Sequence, residues 1–295
     1  MGTRVTVELW SEDDQHAAQC SEQVFTEMHR IDHLMSPYIA DSEVSLINRQ
    51  AAEKPVVISA ELYRLLQRAQ WFSGLTKGAF DVTFASIGYQ YDYRQARQPD
   101  DLTIQRELDR IDYQKMTLRD NSVAFSLAGM RIDLGGIAKG YAVDRSIDIL
   151  KHCGITEALV SAGGDSRIIG DRQGKPWIIG IQHPRKKQAV ALRIPLSNTA
   201  ISTSGDYERY FISNGERVHH IIDPNTGKSS HAAWSATIIG PDATSTDALS
   251  TSVFILGTQK GLQLIESLPA FDAIIIDTRG VVHYSSGLQE PATVH

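Results

Sequence analysis

The stretch from Ile132 to Asp144, I-D-L-G-G-I-A-K-G-Y-A-V-D, decides how the rest of the chain is read. An apolar run ending in Asp133 reads as the end of a strand. Gly135 and Gly136 let the backbone turn tightly and approach a ligand with no Cβ in the way. A helix is predicted from about Ile137, with Tyr141, Val143, Ile147 and Leu150 on or near one face. Strand, glycine turn and helix start together present free backbone N–H groups to an anion, and Lys139 in the first turn adds a positive charge. Taken alone, the stretch is equally an ordinary strand-to-helix turn with a surface lysine. It is not a P-loop, since G-x-x-x-x-G-K-[ST] is absent, and its glycine spacing is not that of a dinucleotide fingerprint.

Before this stretch the chain reads mainly as helix. Residues 3–10 read as a strand, and Ser11 reads as a helix N-cap with Asp14 three residues on. Cys20, Val24, Met28, Ile31 and Met35 then repeat at helical spacing. His29 and His33 lie four apart on that helix. No third ligand is evident beside them, so a solvated face is preferred to a metal site. Pro37 breaks the helix. Ser42 and Ser59 are read as caps of two further helices, the second running from Ala60 to about Thr76. Residues 88–101 read as an exposed loop, and a hairpin is expected at Asp120-Asn121.

After the stretch, strands dominate. Asn214-Gly215 is the strongest hairpin signal in the chain. A helix from about Ser245 to Leu256, a second over G-L-Q-L-I-E-S-L, and the strands A-I-I-I-D and V-V-H-Y complete an α/β or α+β pattern. The fold expected is a mixed, largely antiparallel sheet core with flanking helices.

The chain has 295 residues, of which 42% are hydrophobic and 22% charged, enough for a full core in one large domain or two ordinary ones. A formal net charge of −6 argues against general binding to nucleic acid or anionic membranes. A phosphate site would have to be built locally. The two cysteines, Cys20 and Cys153, give neither a disulfide framework nor a metal cluster. Cys20 lies on an apolar helix face and is expected as a small buried residue. No apolar run is long enough for a transmembrane helix. No signal peptide is visible.

Four more segments could carry chemistry. In S-A-G-G-D-S-R, residues 161–167, Arg167 could meet an anion or Asp165, or the segment could be a plain turn with a local ion pair. The hydroxyls of I-S-T-S-G-D-Y-E-R-Y-F, residues 201–211, could bind phosphate or their own backbone. H-H-I-I-D-P-N-T-G, residues 219–227, carries two histidines on opposite strand faces, each a candidate general base or a structural residue. T-S-T-D-A-L-S-T-S, residues 244–252, puts Asp247 and Thr251 on one helix face, with Ser250 beside them. These are oxygen ligands suited to Mg²⁺ or Ca²⁺. Ser250, Thr251 and Ser252 adjoin an apolar run, so they need partners if buried.

The order of these motifs is more telling than any one of them. M-S-P-Y-I-A-D-S-E-V-S-L-I-N, G-A-F-D-V-T, D-L-G-G-I-A-K-G-Y-A-V-D, S-A-G-G-D-S-R, I-S-T-S-G-D-Y-E-R-Y-F, H-I-I-D-P-N-T-G and D-A-L-S-T-S-V-F-I-L-G together resemble the ApbE family of FAD:protein FMN transferases. The resemblance runs from M-G-T at residues 1–3 to about residue 284. It implies a single ApbE-type domain over residues 1–295, built as one unit or as two subdomains with the FAD site between them.

The resemblance implies FAD as substrate and a divalent cation, usually Mg²⁺. The FMN half would pass to a Thr or Ser hydroxyl of a target protein, with release of AMP. Two alternatives are a Mg²⁺-dependent FAD pyrophosphatase giving FMN and AMP, and a non-catalytic FAD-binding protein. His220 matches the histidine proposed as base. Asp133 and Lys139 match flavin-nucleotide contacts, and Met35, Asn48 and Ile222 match FAD-site positions. Phe72 and the segment Ile111, Asp112, Tyr113 fall where other members contact FAD. Gly136, through its carbonyl, and the side chains of Asp247 and Thr251 match metal ligands; Ser250 stands where some members carry aspartate. The implied acceptors are subunits of membrane redox complexes, with no nucleic-acid partner. The implied location is the periplasmic face as a lipoprotein whose leader is trimmed from this chain, with a cytoplasmic member as the alternative.

Overall fold

The computed structural model describes residues 2–288. Met1 and residues 289–295 lie outside them, so the first residue of M-G-T and the end of the expected domain are not described. The main sheet has seven strands, numbered here in chain order: β1 (Val5–Leu9), β2 (Ala158–Ala162), β3 (Asp165–Ile169), β4 (Ala200–Gly205), β5 (Ser235–Gly240), β6 (Asp272–Ile276) and β7 (Val282–Tyr284). They lie side by side in that order, and every neighbouring pair is antiparallel. The largely antiparallel core expected from the strand-rich second half is the observed one.

The principal helices are α1 (Asp14–Met35), α2 (Glu43–Gln50), α3 (Ala60–Leu75), α4 (Ala138–His152) and α5 (Ala243–Glu266). α4 and α5 cross each other on the sheet, while α1 packs on α4 and α3 on α5. Val143, Ile147 and Leu150 of α4 are fully buried, as their spacing requires. Phe254 of α5 is also fully buried, a contribution of about 2–3 kcal/mol. A second, smaller cluster joins Ile87, Tyr91, Ile104, Val218 and Ile222. Tyr91 therefore anchors part of the 88–101 segment, which is otherwise loop, and its hydroxyl donates to the Gly227 carbonyl at 2.8 Å.

Local signals hold at most ends of elements. Ser42 accepts from the Ser45 N–H, and Ser59 from the Leu62 N–H. Asp120-Asn121 and Asn214-Gly215 turn with positive φ, as two-residue hairpins demand. The two helices expected after residue 243 are one helix interrupted at Gly257, whose φ of 72° is a glycine conformation.

Two further expectations are corrected. The cap of α1 is Asp13, which accepts from the Gln15 and His16 N–H groups; a carboxylate there also faces the positive end of the helix. Ser11 instead bonds to Asp13. Residues 131–134 form no strand. Their hydrogen bonds go elsewhere: Ile132 pairs through both backbone groups with the Asn48 amide at 2.8 and 2.9 Å, and the Asp133 N–H donates to the Val82 carbonyl. Side-chain pairing has taken the place of a ladder.

Candidate active site

The site is organised by the crossing of α4 and α5. A Cβ on Gly140 would stand 2.0 Å from the Ala243 carbonyl oxygen and 2.9 Å from the Asp247 Cβ. Only glycine allows this approach, because the nearest obstacle is backbone that cannot swing away. The Gly140 N–H donates to Asp247 Oδ2 at 3.0 Å. One turn along α4, Asp144 accepts from the Ala243 and Thr244 N–H groups and the Thr244 hydroxyl, binding the start of α5. Arg167 donates to Asp144 at 2.7 Å. The expected pairing of Arg167 with Asp165 or an anion is thereby corrected: the open N-terminus of α5 draws the Asp144 carboxylate, and Arg167 neutralises it.

Asp165 is left to Lys139. The Lys139 Nζ donates to Asp165 Oδ2 at 2.7 Å and to both Asp247 oxygens at 3.1 and 3.2 Å. Both carboxylate residues are 2% exposed. Burial alone would lower the lysine, but the two carboxylates outweigh it and hold the ammonium charged. Asp247 is pushed up by burial first and then by the charge of Asp165, with Lys139 and the Gly140 N–H opposing.

Oxygen donors gather beside this pair. Ser204 bonds Ser250 at 2.8 Å and Thr251 at 3.3 Å, and Ser250 also donates to the Asp247 carbonyl. The buried hydroxyls thus have the partners they require. Ser202 bonds Thr246 and Thr203 bonds Thr237, so part of the 201–211 segment knits the sheet to α5 and to its neighbouring strand. A Cβ on Gly136 would lie 3.3 Å from Thr251 Oγ1 and 3.2 Å from the Phe80 ring. The glycine turn and the helix face therefore meet in space. Among the described residues no three His, Cys, Asp or Glu side chains form a metal-binding group. The donors available are two carboxylates, hydroxyls and backbone, all hard oxygens suited to Mg²⁺.

Asp133 accepts from the Gly135 N–H at 2.7 Å and shapes the turn. Burial raises its carboxyl, against the nearby charges of Arg209 and Lys139. The same two cations act on His220. His220 is lowered to about 3, by burial first, then by His219, Arg209 and Lys139, so its imidazole is neutral. Its Nδ1 is buried and, among the described residues, has no hydrogen-bond partner. His219 differs: it is fully buried, its Nε2 donates to the Ser230 carbonyl at 2.6 Å, and its Nδ1 accepts from the Ile221 N–H.

The structure brings Asp133, Gly136, Lys139, His220, Asp247, Ser250 and Thr251 into one neighbourhood. The other expected residues have packing or capping roles. Met35 is 3% and Phe72 1% exposed, both in the main core. Ile222 and Ile111 belong to the smaller cluster. Asp112 caps a short helical turn, the Tyr113 N–H donates to Asp81, and Asn48 clamps Ile132. Asp165, Ser204 and Arg209 join the site without having been assigned to it. All three lie in the quoted motifs, but nothing local to those motifs shows that they meet Lys139, Ser250 and His220.

Chemically, the arrangement can receive an anion at a turn flanked by cations, hold a hard cation among oxygens, and take up a proton at an unpaired nitrogen. These are the attributes of a group-transfer site for a phosphorylated substrate. The ApbE family model matches residues 1–275. The FAD:protein FMN transferase of Treponema pallidum is 33% identical over 317 residues, covering 100% of this chain and 87% of that protein. The crystal structure of the ApbE protein from Thermotoga maritima superposes with a TM-score of 0.89 at 36% identity, covering 97% of this chain and 94% of that one. The flavin transferase ApbE from Vibrio cholerae gives 0.86 at 27% identity, with 97% and 94% covered. This chain belongs to the ApbE family.

Proposed function

We propose that this protein transfers the FMN half of FAD to a Thr or Ser hydroxyl of an acceptor protein and releases AMP. The observation that carries this reading is the buried, unpartnered Nδ1 of His220, held neutral in the field of Lys139 and Arg209. Unsatisfied buried nitrogens are uncommon and need a reason. A base awaiting a substrate proton supplies one.

The residues fit a divalent cation. Gly136 through its carbonyl, Asp247 and Thr251 would hold Mg²⁺, with Ser250 adjoining. When bound, the cation neutralises charge on phosphoryl oxygens. The diphosphate of FAD lies at the Gly135-Gly136 turn, where Lys139 and Arg209 attract it. His220 Nδ1 accepts the proton of the acceptor hydroxyl as that oxygen attacks the FMN phosphorus. The bond from that phosphorus to the bridging oxygen breaks, and AMP leaves with the electron pair. Lys139 stabilises the charge that develops on the leaving phosphate. The arriving diphosphate also offsets the cations that depress His220, making it a better base once FAD is bound. Asn48, Met35, Phe72, Ile111, Asp112, Tyr113 and Ile222 support the flavin side of the site by fixing the walls on which it rests.

Incubation with FAD, Mg²⁺ and a candidate acceptor domain tests the reading. The expected result is an acceptor heavier by one FMN less one water, and one AMP released per transfer. Free FMN and AMP with an unmodified acceptor would mark a pyrophosphatase, and bound but intact FAD a flavin-binding protein. Acceptors from membrane redox complexes and a periplasmic, lipid-anchored location rest on the family resemblance alone. Cell fractionation tests the location.

A further inference from the structure

The two cysteines lie far apart in sequence, yet the packing of α1 on α4 brings them together. Cys20 is on the inner face of α1 and 1% exposed. Cys153 is the C-cap residue of α4 and partly exposed. His16, one turn before Cys20, ties the two sites. Its Nε2 lies 2.8 Å from the Cys153 carbonyl oxygen, which can only accept, so Nε2 carries the proton and Nδ1 the lone pair. Nδ1 is 3.9 Å and Nε2 3.6 Å from Cys20 Sγ. Burial first, then the hydrogen bond that the Cys20 S–H donates to the Cys153 sulfur and the charge of the Cys153 side chain, push the Cys20 thiol up to about 11. Both thiols are free. None of these groups serves the transfer site.

We propose that Cys20 and Cys153 form a reversible intramolecular disulfide that fastens α1 to the end of α4, with His16 as the positioned base. The oxidant is a low-molecular-weight disulfide of the glutathione class. Cys153, the more accessible thiol, loses its proton and attacks one glutathione sulfur, and the other sulfur leaves as a glutathione thiol. Cys20 then passes its proton to His16 Nδ1 and attacks the Cys153 sulfur. The Cys153–glutathione bond breaks, and the second glutathione leaves with the proton. Two cysteine thiols are oxidised by two electrons, and one glutathione disulfide is reduced to two thiols.

The cross-link closes a long loop, so it stabilises the fold. Lys139 is at the opposite end of α4, about 21 Å away at the helical rise, so the transfer site is untouched. The test treats the full chain with oxidised glutathione, then denatures, alkylates with iodoacetamide and maps peptides by mass spectrometry. The expected result is a cross-linked Cys20–Cys153 peptide, with both cysteines protected from alkylation. A melting temperature raised by about 5 °C or more and full reversal by dithiothreitol should accompany it. In Cys153→Ser, Cys20 should remain alkylatable. In His16→Ala, the mixed disulfide at Cys153 should form normally and then close at least ~10-fold more slowly. A persistent glutathione adduct on Cys153 in the unsubstituted chain, a disulfide-linked dimer, or two alkylated cysteines after oxidation would overturn the proposal. An unchanged closure rate in His16→Ala would remove His16 from it.

Discussion

The α4–α5 crossing and the end of the 216–219 strand both bury ionisable groups, but they treat them in opposite ways. At the crossing every buried charge has partners: Lys139 has Asp165 and Asp247, Asp247 has the Gly140 N–H, and Asp144 has Arg167 and the start of α5. At the strand end, two adjacent histidines divide the roles. His219 uses both ring nitrogens within the protein, while His220 keeps Nδ1 unpaired. A buried group with all its bonds made is a support, since breaking any one leaves an uncompensated charge or dipole. A buried group with one bond unmade is available to a substrate. The contrast separates the frame of the site from its reactive atom.

The sharpest way to break the contrast is His220→Ala. Transfer should fall by about 10²–10⁴-fold while FAD affinity, read by flavin fluorescence quenching, stays near that of the unsubstituted protein. Equal loss of affinity and transfer would make His220 a structural residue like its neighbour. Next is Asp247→Ala, expected to raise the Mg²⁺ concentration for half-maximal activity on the order of 10²-fold or abolish the response. An unchanged Mg²⁺ titration would remove Asp247 from the cation site.

Gly140→Ala probes the frame itself. The new methyl group meets the Ala243 carbonyl, so the helices must part. The expected cost is about 3 kcal/mol, seen as a melting temperature lower by roughly 6–12 °C. A variant melting within a degree of the parent would show that the crossing is loose.

The smallest effect concerns His219. Its folded pKa of about 4 lies below the ordinary 6.5, because burial disfavours the charged ring. The folded state therefore binds fewer protons than the unfolded state between those values. The stability due to neutral His219 is complete above about pH 6.5 and is lost as pH falls toward 4, by about 2 kcal/mol between pH 7 and 5. Urea unfolding at both pH values should show a flatter acid limb in His219→Gln. Identical limbs would mean that other groups carry the acid sensitivity.

Much of this was legible in the chain because the signals are local. The 3.6-residue spacing of Cys20, Val24, Met28, Ile31 and Met35 predicted a buried face, and that face is observed. Asp247 and Thr251, four apart, had to share a side of α5. The misreadings arose where a local signal met a distant competitor. Residues 131–134 have a strand's composition, but the Asn48 amide captures Ile132, which leaves no ladder to form. Arg167 is close in sequence to Asp165, yet the helix end at Ala243 sets Asp144 in its reach instead.

By itself the sequence determined the class of fold, the hairpins, most helix caps, and the ordered motifs that mark the ApbE family. Each depends on backbone geometry or periodicity over a few residues, or on residue order. Only the tertiary structure decided which carboxylates clasp Lys139, which of two adjacent histidines is left unpaired, and that Cys20 faces Cys153. Those choices follow from how closely α4 approaches α5 and α1 approaches α4. Backbone contact at Gly140 and the packing of whole helix faces set those distances, and no short stretch of sequence carries them.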